Sequence, residues 1–187
     1  MTGLNPEVDC LVEIAVVVTN SELEILDEGI DIVIKPTPEG LANMGEFVTN
    51  MHTESGLINE FEHGLELADA EQIVLEYVKR FVPEARTAPL AGNTIGTDRM
   101  FINRYMPQLD SHLHYRNIDV SSVKELSRRW YPRVYFNMPK KDGGHRALAD
   151  ILESIKELQY YRKTVFVEQP GPTSEVAKSA ADSLDRD

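Results

Sequence analysis

The 187 residues suit one domain with a sizeable core, or one domain and a tail, and 42% apolar with 27% charged residues is ordinary for a soluble globular chain. Thirty-one acidic against nineteen basic side chains give a formal charge of −12. That charge excludes a passive binder of long duplex nucleic acid, which needs a basic surface to displace counterions, but not an enzyme that meets phosphates through divalent cations on carboxylates.

The lone Cys10 cannot form an internal disulfide. No apolar run nears the roughly 18 residues of a spanning helix, and the N-terminus lacks the basic-then-apolar order of a signal peptide. These features predict a cytoplasmic protein with no membrane role.

Along the chain, 11–20 (LVEIAVVVTN) is a dense β-branched run predicting a buried strand, and 29–35 (GIDIVIK) alternates as a second. Pro36 and Pro38 stop it. The mixed stretch 39–64 predicts short helices joined by turns. A clear helix follows over 69–81, with Asp69 as candidate N-cap, Lys79 and Arg80 in the last turn and Pro83 beyond. A short apolar segment at 88–92 leads through a turn to helical spacing over 97–105. Next come a compact strand at 115–120 and a helix through Trp130 that Ser121 or Ser122 could cap. A loop over 137–144 precedes a long helix over 145–162, with Leu148, Ile151, Leu152, Ile155 and Leu158 on one face. From Glu168 the composition turns to Pro, Gly, Ser, Ala and acids without an apolar period, which predicts a disordered acidic tail over 168–187 behind a folded body over 1–167. The tail holds five acids and two bases, so most of the negative charge belongs to the body.

Two segments carry residues suited to chemistry. His145 and Asp150 stand five apart at the head of the last predicted helix. On an ideal helix that spacing offsets them by roughly 140°, too far for direct contact. The pair works if His145 lies in the preceding loop and reaches a water while Asp150 holds a metal. Alone, it reads more readily as a surface His and an acid favoured by the helix dipole. Asp98 lies where a strand end passes into a helix, a usual place for functional residues in open α/β sheets, though an Asp there can also be only an N-cap. Glu13, within the first strand, reads as a structural residue.

Taken together, these segments resemble the DEDD superfamily of 3′-to-5′ exonucleases in its His-using branch, and most closely the oligoribonuclease family. The resemblance is carried by MTGL at 1–4, LVEIA at 11–15, HTESGL at 52–57, Gly92-Asn93, Thr97-Asp98-Arg99 and His114-Tyr115-Arg116. It continues through DVSSVKEL at 119–126, RRW at 128–130 and HRALAD at 145–150. It covers nearly everything from Met1 to about Phe166.

The resemblance implies an α/β, ribonuclease H-like fold with a mixed five-stranded sheet flanked by helices. It implies a homodimer that degrades RNA of two to about five nucleotides to 5′ mononucleotides. In the family, four carboxylates hold two divalent ions, Mg²⁺ or Mn²⁺, and a His is the general base. Asp98 and Asp150 match the third and fourth acids, and His145 the base, whose ordinary pKa near 6.5 suits that role. Leu4 matches an apolar wedge between bases, and Phe47 lies near a base-stacking aromatic; each reads otherwise as core. Thr94, Arg116 and Ser121 match groups that bind the 5′ phosphate of a dinucleotide, with Tyr115 arriving from the other subunit. His52 and His114 read as structural.

One departure stands out. In the family an Asp-x-Glu on the first strand directly precedes Met-Thr-Gly-Leu, and here Met1 stands at that point. The sequence as written is therefore read as N-terminally incomplete, lacking a strand and two metal ligands. The alternatives are a catalytically impaired dinucleotide-binding homologue and a DNA or structured-RNA exonuclease of the same superfamily.

Overall fold

The computed structural model describes residues 1–140 and 146–184. It is an α/β molecule whose strands form two ladders. Strand β1 (Glu13–Val16) pairs antiparallel with β2 (Ile30–Val33), and β3 (Pro89–Gly92) pairs parallel with β4 (His114–Asp119). Among the described residues no ladder joins the two pairs: the four strands stand as two two-stranded ladders, where the sequence reading expects the family's five-stranded sheet without its first strand. The strands are also shorter than the sequence predicts. Leu11 and Val12 are buried but lie outside the ladder, and Thr19 contributes only an isolated bridge to Ile25. Apolar density reported burial there, not strand pairing.

Helices cover both ladders. After β2 come α1 (Pro38–Asn43), α2 (Glu46–Glu54) and a 3-10 helix (Leu57–His63), as the mixed stretch predicts. Helix α3 (Leu67–Phe81) turns Ala70, Val74 and Val78 inward at helical spacing. Asp69 lies inside its first turn, and Glu66 occupies the cap position without a side-chain bond. The carboxylate therefore meets the positive end of the dipole without closing the helix. Buried Glu71 accepts the Gln108 and Leu109 N–H groups, supplying the start of α5 (Pro107–His112) with acceptors from another element.

Helix α4 (Ile95–Tyr105) drives Phe101 and Ile102 into the same core, where Met106 and Leu109 follow. Helix α6 (Val120–Trp130) is capped by Asp119, which accepts the Ser121 N–H, and not by Ser121 or Ser122. The short α7 (Pro132–Phe136) follows. Helix α8 (Ala147–Thr164) packs across β1, β2 and β3, and so spans both ladders. In the segment expected to be a disordered tail, Ser174–Leu184 forms helix α9, none of whose residues is buried. Local propensity carries it: Glu, Lys, Leu and three Ala favour a helix even without an apolar stripe to dock. None of the described helices is long and apolar enough to cross a membrane.

Candidate functional site

Two chain reversals meet where the parallel ladder ends. β3 runs through Asn93 and Thr94 into α4, and β4 runs through Asp119 into α6. Thr94 takes the left-handed conformation at φ +53°, which an L-residue with a branched Cβ rarely adopts. Its N–H donates to Asp119 Oδ1 (3.0 Å) and Ser121 Oγ (2.9 Å), and its hydroxyl lies 3.2 Å from Ser121 Oγ. The exposed Thr94 hydroxyl thus lies beside that of half-buried Ser121 at the head of α6. Arg116, which the resemblance places with them, lies exposed on β4, its guanidinium stacked 5.3 Å from the Tyr115 ring centroid. The structure joins Thr94 to Ser121 directly and places Arg116 on the strand that leads to Ser121.

Behind the hydroxyls stands Asn93. Its Oδ1 accepts from Ser121 Oγ (3.1 Å), and its Nδ2 donates to Ser154 Oγ (2.9 Å) and Glu157 Oε2 (3.2 Å). Ser154 in turn donates to the Asp150 carbonyl (2.8 Å). Lys124 on α6 approaches Glu157 at 3.3 Å, and the Tyr161 hydroxyl donates to the same carboxylate. Burial and the adjacent Glu157 charge push the Tyr161 phenol pKa upward. This corrects the sequence reading of α8. The predicted apolar face (Leu148, Ile151, Leu152, Ile155, Leu158) is only half-buried, and the buried positions are Ser154, Glu157 and Tyr161. The polar stripe wins because Asn93 and Lys124 satisfy it.

Asp98 occupies the first turn of α4, one turn after Thr94, so it is not that helix's N-cap. Burial raises its carboxyl pKa above the ordinary value, against the pull of its own backbone N–H and the Met1 ammonium. Such a carboxylate has too little counter-charge, and a cation beside it would lower its pKa. Asp150 lies exposed in the first turn of α8. Among the described residues no three acid, His or Cys side chains converge as a metal cluster. Among the described residues Asp98 and Asp150 therefore do not make up a four-carboxylate set. His145 lies outside the described residues.

The start of α8 is fixed from elsewhere. Glu13, its side chain 6% exposed, accepts Arg146 Nε (2.6 Å) and the Ala147 N–H (2.9 Å), while Arg146 Nη1 reaches Glu60 (2.7 Å). Glu13 is a structural residue, as its place in a strand suggests, and its partner is the first turn of the helix that carries Asp150.

Leu4 and Phe47 are 76% and 80% exposed, which removes the core reading for both. They sit on neighbouring segments: Asn43 donates to the Val8 carbonyl, and the His52 ring bonds the Met1 carbonyl. His52 is buried, with its pKa lowered by burial, and His114 Nδ1 accepts the Arg116 N–H. Sequence reasoning missed Asn93, Ser154 and Glu157. The available signal was the pair of polar residues spaced three apart on a helix that otherwise reads as apolar-faced.

The Exonuclease family model matches residues 1–158. The chain is 65% identical over 184 residues to an oligoribonuclease of Leifsonia xyli, covering 98% of this chain and 89% of that relative. It is 59% identical to an oligoribonuclease of Streptomyces coelicolor (97% and 90% covered) and 56% identical to one of Mycobacterium avium (99% and 86% covered). Matched over most of its length by the family model and by relatives well above half identical, the chain belongs to the Exonuclease family, among the oligoribonucleases of the His-using DEDD branch.

Proposed function

We propose that the protein is a 3′-to-5′ exoribonuclease that degrades RNA of two to about five nucleotides to 5′ mononucleotides. The observation that carries the size preference is the Thr94–Ser121 hydroxyl pair at the end of the parallel ladder, with Arg116 on the strand leading into it. Hydroxyls and a guanidinium fork suit a terminal phosphate. In this reading these groups hold the terminal 5′ phosphate of a short fragment, and a chain continuing past that phosphate would lose the contact. Leu4 and Phe47 supply exposed apolar faces on which bases stack without regard to sequence.

A divalent ion, Mg²⁺ or Mn²⁺, would be held by Asp98 and Asp150. It would supply activated water and neutralise charge at the cleaved phosphate. His145, next to the Arg146 that Glu13 clamps, is proposed as the proton acceptor. The working form is proposed as a cytoplasmic homodimer. The exposed aromatic side chains of Tyr115, Trp130 and Phe136 support burial against a second copy, and Tyr115 would reach across to the partner's fragment. The catalytic body is 1–167, with 168–187 outside it.

The test is Arg116→Ala with a 5′-phosphorylated dinucleotide, followed by calorimetric binding. A loss of about tenfold or more supports the reading, as expected for a charge-assisted phosphate contact. Unchanged binding removes the basis of the short-substrate preference.

A further inference from the structure

We propose that buried Asp9 is a positioning residue, holding the opening loop of the chain so that Leu4 stands out of the fold to meet bases. The proposal rests on the base-contacting role given to Leu4 above. Over residues 2–9 the ordinary order of burial is inverted: Asp9 is 7% exposed and Leu4 76%. A loop left to itself would turn its leucine inward and its acid to water. Hydrogen bonds hold it the other way. Asp9 Oδ1 accepts the Thr2 hydroxyl (3.2 Å), and Asp9 Oδ2 accepts the Asn5 N–H (2.9 Å). One carboxylate thus grips the chain on both sides of Leu4, and those two donors satisfy its burial.

The remainder of the loop fits around that grip. Thr2 Oγ1 gives its hydrogen to Asp9 and accepts the Cys10 N–H (3.0 Å), while the Thr2 N–H donates to the Cys10 carbonyl (3.0 Å). The Asn5 carbonyl accepts the N–H groups of Val8 (3.2 Å) and Asp9 (2.8 Å), closing the turn beyond Leu4. Gly3 lies against the carboxylate: a Cβ there would stand 2.3 Å from Asp9 Oδ2, so glycine alone leaves room for it. From outside, the Tyr105 hydroxyl shares its one hydrogen between the carbonyls of Asp9 (2.6 Å) and Pro6 (2.9 Å). Tyr105 ends α4, the helix whose first turn holds Asp98, so the loop is fixed to that helix. An apolar side chain held in place before its ligand arrives loses less freedom on binding.

The test uses the whole chain with EDTA present, so that binding of 5′-phosphorylated diadenylate is read without cleavage. Calorimetry gives affinity and number of sites separately, so a loss of folded protein alters the second and not the first. Leu4→Ala is expected to weaken binding by about tenfold, as the leucine side chain is lost from between the bases. Asp9→Ala keeps that side chain but frees the loop, and is expected to weaken binding by about fivefold. In the Leu4→Ala background the same Asp9→Ala change is expected to alter affinity by less than about twofold, because Asp9 acts through Leu4. Gly3→Ala displaces the carboxylate without removing it. It is expected to behave as Asp9→Ala does in both backgrounds, and it carries the test if Asp9→Ala does not fold. Parental affinity in the Asp9 and Gly3 variants, beside a tenfold loss in Leu4→Ala, overturns the proposal and leaves the role of Leu4 standing. Losses that multiply in the double variants overturn it as well, since Asp9 would then act by a route other than Leu4. A parent without measurable affinity, or a Leu4→Ala variant that binds like the parent, overturns the base-contacting role and the proposal with it.

Discussion

Removing the Glu13 carboxylate should be among the most damaging single changes at the head of α8. Its side chain is 6% exposed and makes two bonds, to Arg146 Nε at 2.6 Å and to the Ala147 N–H at 2.9 Å. Glu13→Ala leaves the guanidinium with Glu60 alone, a partner 46% exposed, and leaves the first N–H of α8 without an acceptor. Breaking a fully buried pair costs about 3–5 kcal/mol. Arg146 is 29% exposed and keeps one carboxylate, which brings the expected loss down to about 2–3 kcal/mol. For a chain of this size that loss lowers Tm by roughly 5–10 °C. Urea denaturation followed by far-UV circular dichroism measures it, with Glu60→Gln as the control. Glu60→Gln is expected to cost about 0.5 kcal/mol because its ion pair is solvated. A Glu13→Ala loss under about 1 kcal/mol, or equal losses in the two variants, would show that Glu13 does not anchor the helix.

Two further predictions concern pH. Burial holds His52 below its ordinary pKa of 6.5, so the unfolded chain takes up the proton first. The corresponding stability is complete above about 6.5 and is lost as pH falls through that value toward the folded-state pKa. His52→Gln should flatten this part of the acid limb in urea titrations at pH 8, 6 and 5, and an unchanged slope would refute it. At Asp98 the sign is reversed. Burial raises its pKa from 3.8, so the charged form is disfavoured in the fold and stability falls as pH rises through the raised value. Asp98→Asn, melted in EDTA, should be more stable than the parent at pH 7 and indistinguishable at pH 3, at the expense of any cation held there. A less stable variant at pH 7 would contradict the burial effect.

Sequence legibility followed the physics of each element. Helix α3 was readable because Ala70, Val74 and Val78 repeat at 3.6 and Lys79 and Arg80 suit its end. The loop-to-helix positions of Asp98 and Asp150 were readable from turn residues and from the family resemblance. The split sheet was not, because β-branched density at 11–20 reports burial and cannot say which strand lies alongside. The cap of α6 lies two or three residues before the serines the sequence offers, since Asp119, Ser121 and Ser122 are all good caps and only the backbone decides among them. Least legible was the buried face of α8. Ser154 and Glu157 read as solvent-facing in one dimension, and they are buried only because Asn93, some sixty residues earlier, satisfies them. Polar partners distant in sequence leave no period to detect.

The backbone at Thr94 offers a test of whether stability has been given up for the pocket. At φ +53° a β-branched residue carries about 1–2 kcal/mol of strain. The fold maintains it because two acceptors, Asp119 Oδ1 and Ser121 Oγ, claim the Thr94 N–H. Both bonds are made by backbone, so Thr94→Gly retains them while removing the strain and the hydroxyl. Glycine's greater freedom in the unfolded chain offsets about 0.5–1 kcal/mol of the relief. The variant should therefore be more stable by about 0.5–1 kcal/mol in urea denaturation. Its preference for 5′-phosphorylated over 5′-hydroxyl diadenylate should fall by about tenfold if the Thr94 hydroxyl binds the phosphate as proposed. Thr94→Ala separates the effects, because it loses the hydroxyl but keeps a Cβ in the left-handed region, and so should lose preference without gaining stability. A glycine variant less stable than the parent would mean that the conformation is not strained in this setting. A glycine variant that keeps the full 5′-phosphate preference would mean that the Thr94 hydroxyl does not bind the phosphate, whatever its backbone costs.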